Sequence, residues 1–140
     1  MPENSEEQPV KLTITHYRKP QHTHEAFINW MVESHLRVAI PVFKKHGLIS
    51  YHLFVTPPAM NLSLKEEMAP IKPSWDFAGY DCVIEYIVPS FQIMRNIMSD
   101  PGWQESLKDQ DDWVDGPKAL LSIGHSIPYL LNGEAVNLPV

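Results

Sequence analysis

The sequence holds one cysteine, Cys82, in 140 residues. No intrachain disulfide is possible, which suits a reducing compartment and predicts a cytoplasmic protein. Glycine is also scarce, at six residues. None builds a phosphate-cradling loop, a Rossmann fingerprint or a nucleophile elbow, so a nucleotide site is not expected. Positive charge is short: Lys and Arg number 11 against 17 Asp and Glu, for a net charge of −6. An acidic surface repels phosphate backbones, and no Lys/Arg run marks an anionic membrane patch. No apolar run approaches the ~20 residues of a membrane span. Met1 to Pro9 lacks the basic start and apolar stretch of a secretory signal. Metal-ligand spacings such as H-E-x-x-H are missing too, so neither a metal nor another cofactor is expected.

What remains is a chain with 44% hydrophobic residues, enough for one domain with one core. Residues 1–9 read as a polar tail and 10–140 as the domain. Lys11 to Tyr17 is rich in β-branched residues and predicts a first strand. Thr23 can cap a helix from His24 to about Lys45, with Phe27, Met31, His35, Val38 and Val42 on its buried face. Pro41 inside that pattern predicts a kink or a split. Leu48 to Thr56 predicts a second strand, ended by Pro57 and Pro58. Residues 57–78 are long for a connection and suggest a lid, with a helical turn over Ser63–Met68. Gly79 to Val88 predicts the third strand and Phe91 to about Met98 the next helix. A short helix from Pro101 to about Leu107 and an acidic loop from Asp109 to Gly116 follow. Ala119 to Leu131 predicts the fourth strand, weakened by Gly124 and interrupted by Pro128.

The order strand, helix, strand, strand, helix, strand is the ferredoxin-like βαββαβ pattern of an α+β fold, with a four-stranded antiparallel sheet. Apolar groups occur on both parities of the first and third strands. A second subunit covering the outer face predicts a twofold homodimer.

Several motifs then point to one family. Phe27-Ile-Asn-Trp30 with Ser34-His35, ahead of His46-Gly47-Leu48, resembles the aromatic and histidine helix of the EthD group of dimeric α/β-barrel proteins. Tyr17-Arg18-Lys19-Pro20 resembles the end of that group's first strand. Trp75-Asp76 and Tyr80-Asp81-Cys82-Val83-Ile84-Glu85 resemble its third strand. Asp100-Pro101 and Asp111-Asp112-Trp113-Val114-Asp115 resemble its later helix end and loop. The resemblance spans about residues 11–133. It departs at Asn29, where the group usually carries an aromatic before Trp30. Within the group, the long loop and the D-D-W-V-D run look most like small fungal enzymes of aromatic-polyketide gene clusters. Several of those are decarboxylases of anthrone-type carboxylic acids. The resemblance therefore implies a cofactor-independent lyase of secondary metabolism acting on an aromatic polyketide. A cyclase or dehydratase, a cofactor-free oxygenase, or a non-catalytic ligand-binding accessory protein are the alternatives.

Seven histidines are many for this length, and imidazole is the side chain suited to proton transfer near neutral pH. His35, on the apolar stripe of the first helix, is the first catalytic candidate. His52, His125 and His16, each on a strand, are the others. The competing reading for each is an interior histidine held by a backbone carbonyl. His22 and His24 read as loop and first-turn residues, and His46 as a helix-end residue. Asp81 and Glu85 lie ~13 Å apart along one strand, too far for a coupled dyad, and read as solvent or dimer-rim residues. Trp30, Tyr51, Trp75, Tyr80 and Trp113 are the candidate substrate-binding walls, since flat aromatic surfaces suit a planar ligand.

Overall fold

The computed structural model describes residues 8–139. Strand β1 spans Val10–His16, β2 Ser50–Val55, β3 Cys82–Val88 and β4 Leu120–Gly124. They form one antiparallel sheet in the order β2-β3-β1-β4. The first helical rod comprises α1 (His24–Trp30), a π-helical segment (Met31–Leu36) and α2 (Arg37–His46). Later come α3 (Pro58–Met68), α4 (Phe91–Met98), α5 (Pro101–Ser106) and α6 (Gln110–Trp113). A single 3₁₀ turn, Gly116–Lys118, leads into β4. Helical rod, sheet order and antiparallel pairing give the expected ferredoxin-like α+β fold.

Local chemistry sets the ends of these elements. The Thr23 hydroxyl accepts the Ala26 N–H at 3.0 Å and starts the rod. Gly47 ends it at φ 84°, a left-handed conformation that favours glycine. Pro41 neither breaks nor splits the helix. The irregularity lies upstream instead, in the wider turns of 31–36. The Asp100 carboxylate accepts the Gly102 N–H and caps α5. Gly102 is also where α5 meets α2: a Cβ there would sit 2.7 Å from the Val42 side chain.

Register decides which side chains meet. Leu12, Ile14 and His16 pair with Tyr86, Ile84 and Cys82. Because directly opposed residues share a face, all six point toward the helices. There Phe27, Met31, Ala39, Phe43, Met94 and Ile97 close the core. Phe27 and Ile97 are fully buried, and such side chains contribute about 1.5–3 kcal/mol each. The opposite face carries the polar row His52, Glu85, Thr13 and Ser122.

Three boundaries differ from expectation. The helical turn in 57–78 is an eleven-residue helix, α3, with no buried residue. The acidic segment is a strap: Lys19 N–H bonds the Trp113 carbonyl, Asp115 N–H bonds the Tyr17 carbonyl, and Arg18 bridges Val114. The fourth strand stops at Gly124. A separate hairpin, β5 (Leu130–Leu131) and β6 (Glu134–Ala135), follows. The Asn132-Gly133 turn has positive φ at both residues, the geometry a two-residue hairpin needs. Of the tail expected over 1–9, only Gln8 and Pro9 fall within the described residues.

Candidate functional site

A cavity of about 250 Å³ lies between the helix-facing side of the sheet and the strap. Its floor is sheet: Ile14 and His16 from β1, Ile84 and Tyr86 from β3. Trp30, Met31 and His35 come from the helical rod, Trp103 and Leu107 from and just after α5. The strap contributes Gln110, Val114 and Gly116, β4 Leu121, and the link between them Ala119. None of these lining side chains is charged. The volume lies just below the usual range of ligand pockets, room for a compact molecule.

The two histidines in it differ in their bonding. His35, 4% exposed, donates Nδ1–H to the Ser106 carbonyl at 3.0 Å. A carbonyl can only accept, so the proton is on Nδ1 and Nε2 keeps its lone pair. The ring is stacked on Trp30, centroids 6.0 Å apart, and edge-on to Trp103 at 5.8 Å. Burial lowers the His35 pKa, against the opposing pull of the Ser106 bond. His35 sits in the π-helical segment, and such widened turns are frequent at functional sites.

His16, 8% exposed, is the last residue of β1. Its Nδ1 is buried and has no partner among the described residues. An orphaned buried N–H is the rarer and costlier defect. The tautomer with the proton on Nε2 is therefore favoured, leaving Nδ1 bare. Burial, helped by the proximity of His35, lowers the His16 pKa to about 4. Both rings are thus neutral at pH 7, one presenting a lone pair and the other an N–H.

The remaining candidates lie elsewhere. His52 is exposed on the outer face, opposite Glu85. Its neighbours Tyr51 and Leu53 take the inner parity, so strand alternation turns His52 away from the cavity. His125 lies beyond β4, exposed, with Nδ1–H bonded to the Pro9 carbonyl at 2.9 Å. Among the five aromatics, Trp30 alone lines the cavity. Trp113 backs it, its ring stacked on Trp30 at 5.6 Å and on His22 at 3.7 Å. Tyr51 is packed against Phe43 and Tyr86 in the core. Trp75 and Tyr80 line a different cleft, between α3 and Phe54 of β2. Asp81 is no rim residue: it is 2% exposed and accepts the Arg18 N–H, the Arg18 guanidinium and His24 Nδ1–H. Burial alone would raise its pKa. The Arg18 main-chain N–H, His24 and the guanidinium outweigh that and hold it below the usual carboxylate range. Tyr86, Trp103, Leu107 and Gln110 are among the cavity residues that sequence reading did not single out as site residues. The inner parity of β3 pointed to Tyr86. Nothing local pointed to Gln110, which reaches the cavity only because the strap folds back.

Described this way, the chain is a ferredoxin-like domain with an aromatic-walled cavity that holds two neutral histidines. It belongs to the EthD family: the EthD domain matches residues 19–117. It is 28% identical over 130 residues to the dehydratase iacD of Pestalotiopsis fici, covering 93% of this chain and 94% of that one. It is 27% identical to the decarboxylase nsrE of Aspergillus novofumigatus, covering 90% and 83%. A dimeric ferredoxin-like protein of unknown function from Bacteroides fragilis superposes with TM-score 0.56 at 8% identity, covering 84% of this chain and 96% of that one.

Proposed function

We propose that the protein is a cofactor-independent lyase that removes water from a neutral aromatic polyketide bearing a β-hydroxy carbonyl group. The observation carrying this reading is the complementary pair of neutral histidines in a cavity lined by no charged side chain. His35 Nε2 takes the proton next to the carbonyl as general base. The electrons of that C–H bond move onto the carbonyl oxygen, where His16 Nε2–H donates a hydrogen bond to the enolate. The His35 imidazolium then returns the same proton to the departing β-hydroxyl. Water leaves, a carbon–carbon double bond forms, and His35 is neutral again. Trp30 and Trp103 supply flat walls for a ring system. The relative from Pestalotiopsis fici named a dehydratase supports this choice.

Decarboxylation of an anthrone-type acid is the second reading, favoured by the relative named a decarboxylase. In that reading His35 Nε2 takes the carboxyl proton, loss of carbon dioxide leaves an enolate hydrogen-bonded by His16, and the His35 imidazolium returns that proton to the carbon. A carboxylate, however, would enter a cavity offering no cation, which costs binding. Mass spectrometry of products from paired β-hydroxy ketone and carboxylic acid substrates separates the readings. Loss of water from the first supports dehydration. Loss of carbon dioxide from the second alone favours decarboxylation. Turnover unaffected by His35→Gln would overturn both.

A further inference from the structure

A second cavity, of about 590 Å³, opens where the helical rod begins and the Pro57-Pro58 entry to α3 passes it. That volume falls within the usual range of ligand pockets. Pro20, Pro57 and Pro58 give it apolar walls, and Arg18 and His24 give it a polar floor. Unlike the histidine cavity, it contains a cation. Glu25, exposed in the first turn of α1, is the other charged residue on its wall.

Both floor residues are fixed from behind. Asp81 is 2% exposed and forms no part of the cavity wall. It accepts the Arg18 main-chain N–H and His24 Nδ1–H, each at 2.8 Å, and a guanidinium N–H. Arg18 Nε–H is spent on the His22 carbonyl at 2.9 Å. His22 is tied down in turn, by its Nε2–H bond to the Asp112 carbonyl at 2.9 Å and its stacking on Trp113. A guanidinium has five N–H groups, and these bonds use two of them. A carboxylate only accepts, so the His24 proton is on Nδ1 and the neutral ring keeps a lone pair on Nε2. Nε2 has no partner among the described residues. With Asp81 behind the ring, the Nε2 edge is the one turned to the cavity. Arg18 and His24 bond the same oxygen, Asp81 Oδ1, so their donors and acceptor are held side by side. Convergent, pre-positioned polar groups under apolar walls are what recognition of a small molecule needs.

We propose that Arg18 and His24 form a second ligand site, for a hydroxylated carboxylic acid with an apolar body. The carboxylate accepts the remaining guanidinium N–H groups in charge-assisted bonds. A ligand hydroxyl donates to His24 Nε2, and the prolines cover the apolar body. One guanidinium already paired with Asp81 does not hold a phosphate dianion beside Glu25, whereas a singly charged carboxylate suits it. The site is separate from the histidine cavity, and nothing in it requires the lyase reading.

Titration of the full chain with 3-hydroxybenzoate, read at the imidazole nitrogens by ¹⁵N NMR, locates the ligand. His24 Nε2 is expected to shift saturably while His16 and His35 stay still. Calorimetry then measures each contact. Benzoate, without the hydroxyl, is expected to bind about fivefold more weakly, and 3-hydroxybenzyl alcohol, without the charge, at least about tenfold more weakly. His24→Asn keeps a donor for Asp81 but removes Nε2, so it should bind 3-hydroxybenzoate and benzoate alike. Glu25→Lys leaves the cluster intact and reverses the charge at the rim, which should tighten 3-hydroxybenzoate about fivefold. No saturable shift at His24, a shift at His16 or His35 in its place, or equal affinity for the three probes overturns the site. So does a Glu25→Lys protein with unchanged circular dichroism and unchanged affinity. None of these readouts uses turnover, so the lyase reading can fail without touching this one.

Discussion

Acidification should destabilise this protein through His16 before Asp81 gives up its contribution. His16 has its pKa lowered to about 4 by burial, then by His35. The unfolded chain has an ordinary imidazole near 6.5. The sign follows from proton counting: below 6.5 the unfolded state binds a proton that the folded state refuses, so stability falls as the pH drops. The loss begins near pH 6.5 and is complete near pH 4. Between pH 7 and pH 4.5 about two units of that gap are traversed, at about 1.4 kcal/mol each, giving a loss of about 2–3 kcal/mol. His35, whose pKa is lowered for the same reason, adds in the same direction. Asp81, held low by Arg18 and His24, gives up its contribution only below pH 4, so the window isolates the histidines. Urea unfolding followed by circular dichroism, at half-unit pH steps, measures the curve for the wild type and His16→Gln. The variant should lose about 2 kcal/mol less across the window. Parallel curves would refute the buried, neutral state of His16.

Other outcomes follow from the same geometry. His35→Gln should lower kcat by about 100-fold or more with little change in KM, while His52→Ala and His125→Ala should stay within about twofold of wild type, as steady-state kinetics will show. Asp81→Ala strips a buried carboxylate from Arg18 and His24 and should cost about 3 kcal/mol in urea unfolding. Gly102→Ala drives a Cβ to 2.7 Å from Val42 and should cost about 1–3 kcal/mol by the same assay.

Much of the fold was legible because its signals are local and periodic. The stripe of Phe27, Met31 and His35 marked the buried side of the first helix, and all three are buried. The β-branched runs and proline stops placed the first three strands. The fourth was overextended, because Leu130 and Leu131 read like the continuation of a strand that in fact ends at Gly124 and restarts as a hairpin. The site was legible in part. His16 and His35 were both candidates, and only β-sheet register shows that His16 shares a face with Ile84 and Tyr86 while His52 does not. Parity within one strand cannot say which side the helices cover. Trp75 and Tyr80 sit in loops whose path no local pattern fixes. The strap at 110–118 was invisible for the same reason, since long-range backbone bonds to Tyr17 and Lys19 hold it.

The central claim is that one unprotonated and one hydrogen-donating imidazole face the same ligand. ¹⁵N-detected titration of the imidazole nitrogens reads this directly. The account predicts neutral rings at pH 7, with His35 protonated on Nδ1, His16 protonated on Nε2, and His16 titrating near pH 4. A ring that titrates near pH 6.5, or a His35 carrying its proton on Nε2, would contradict it.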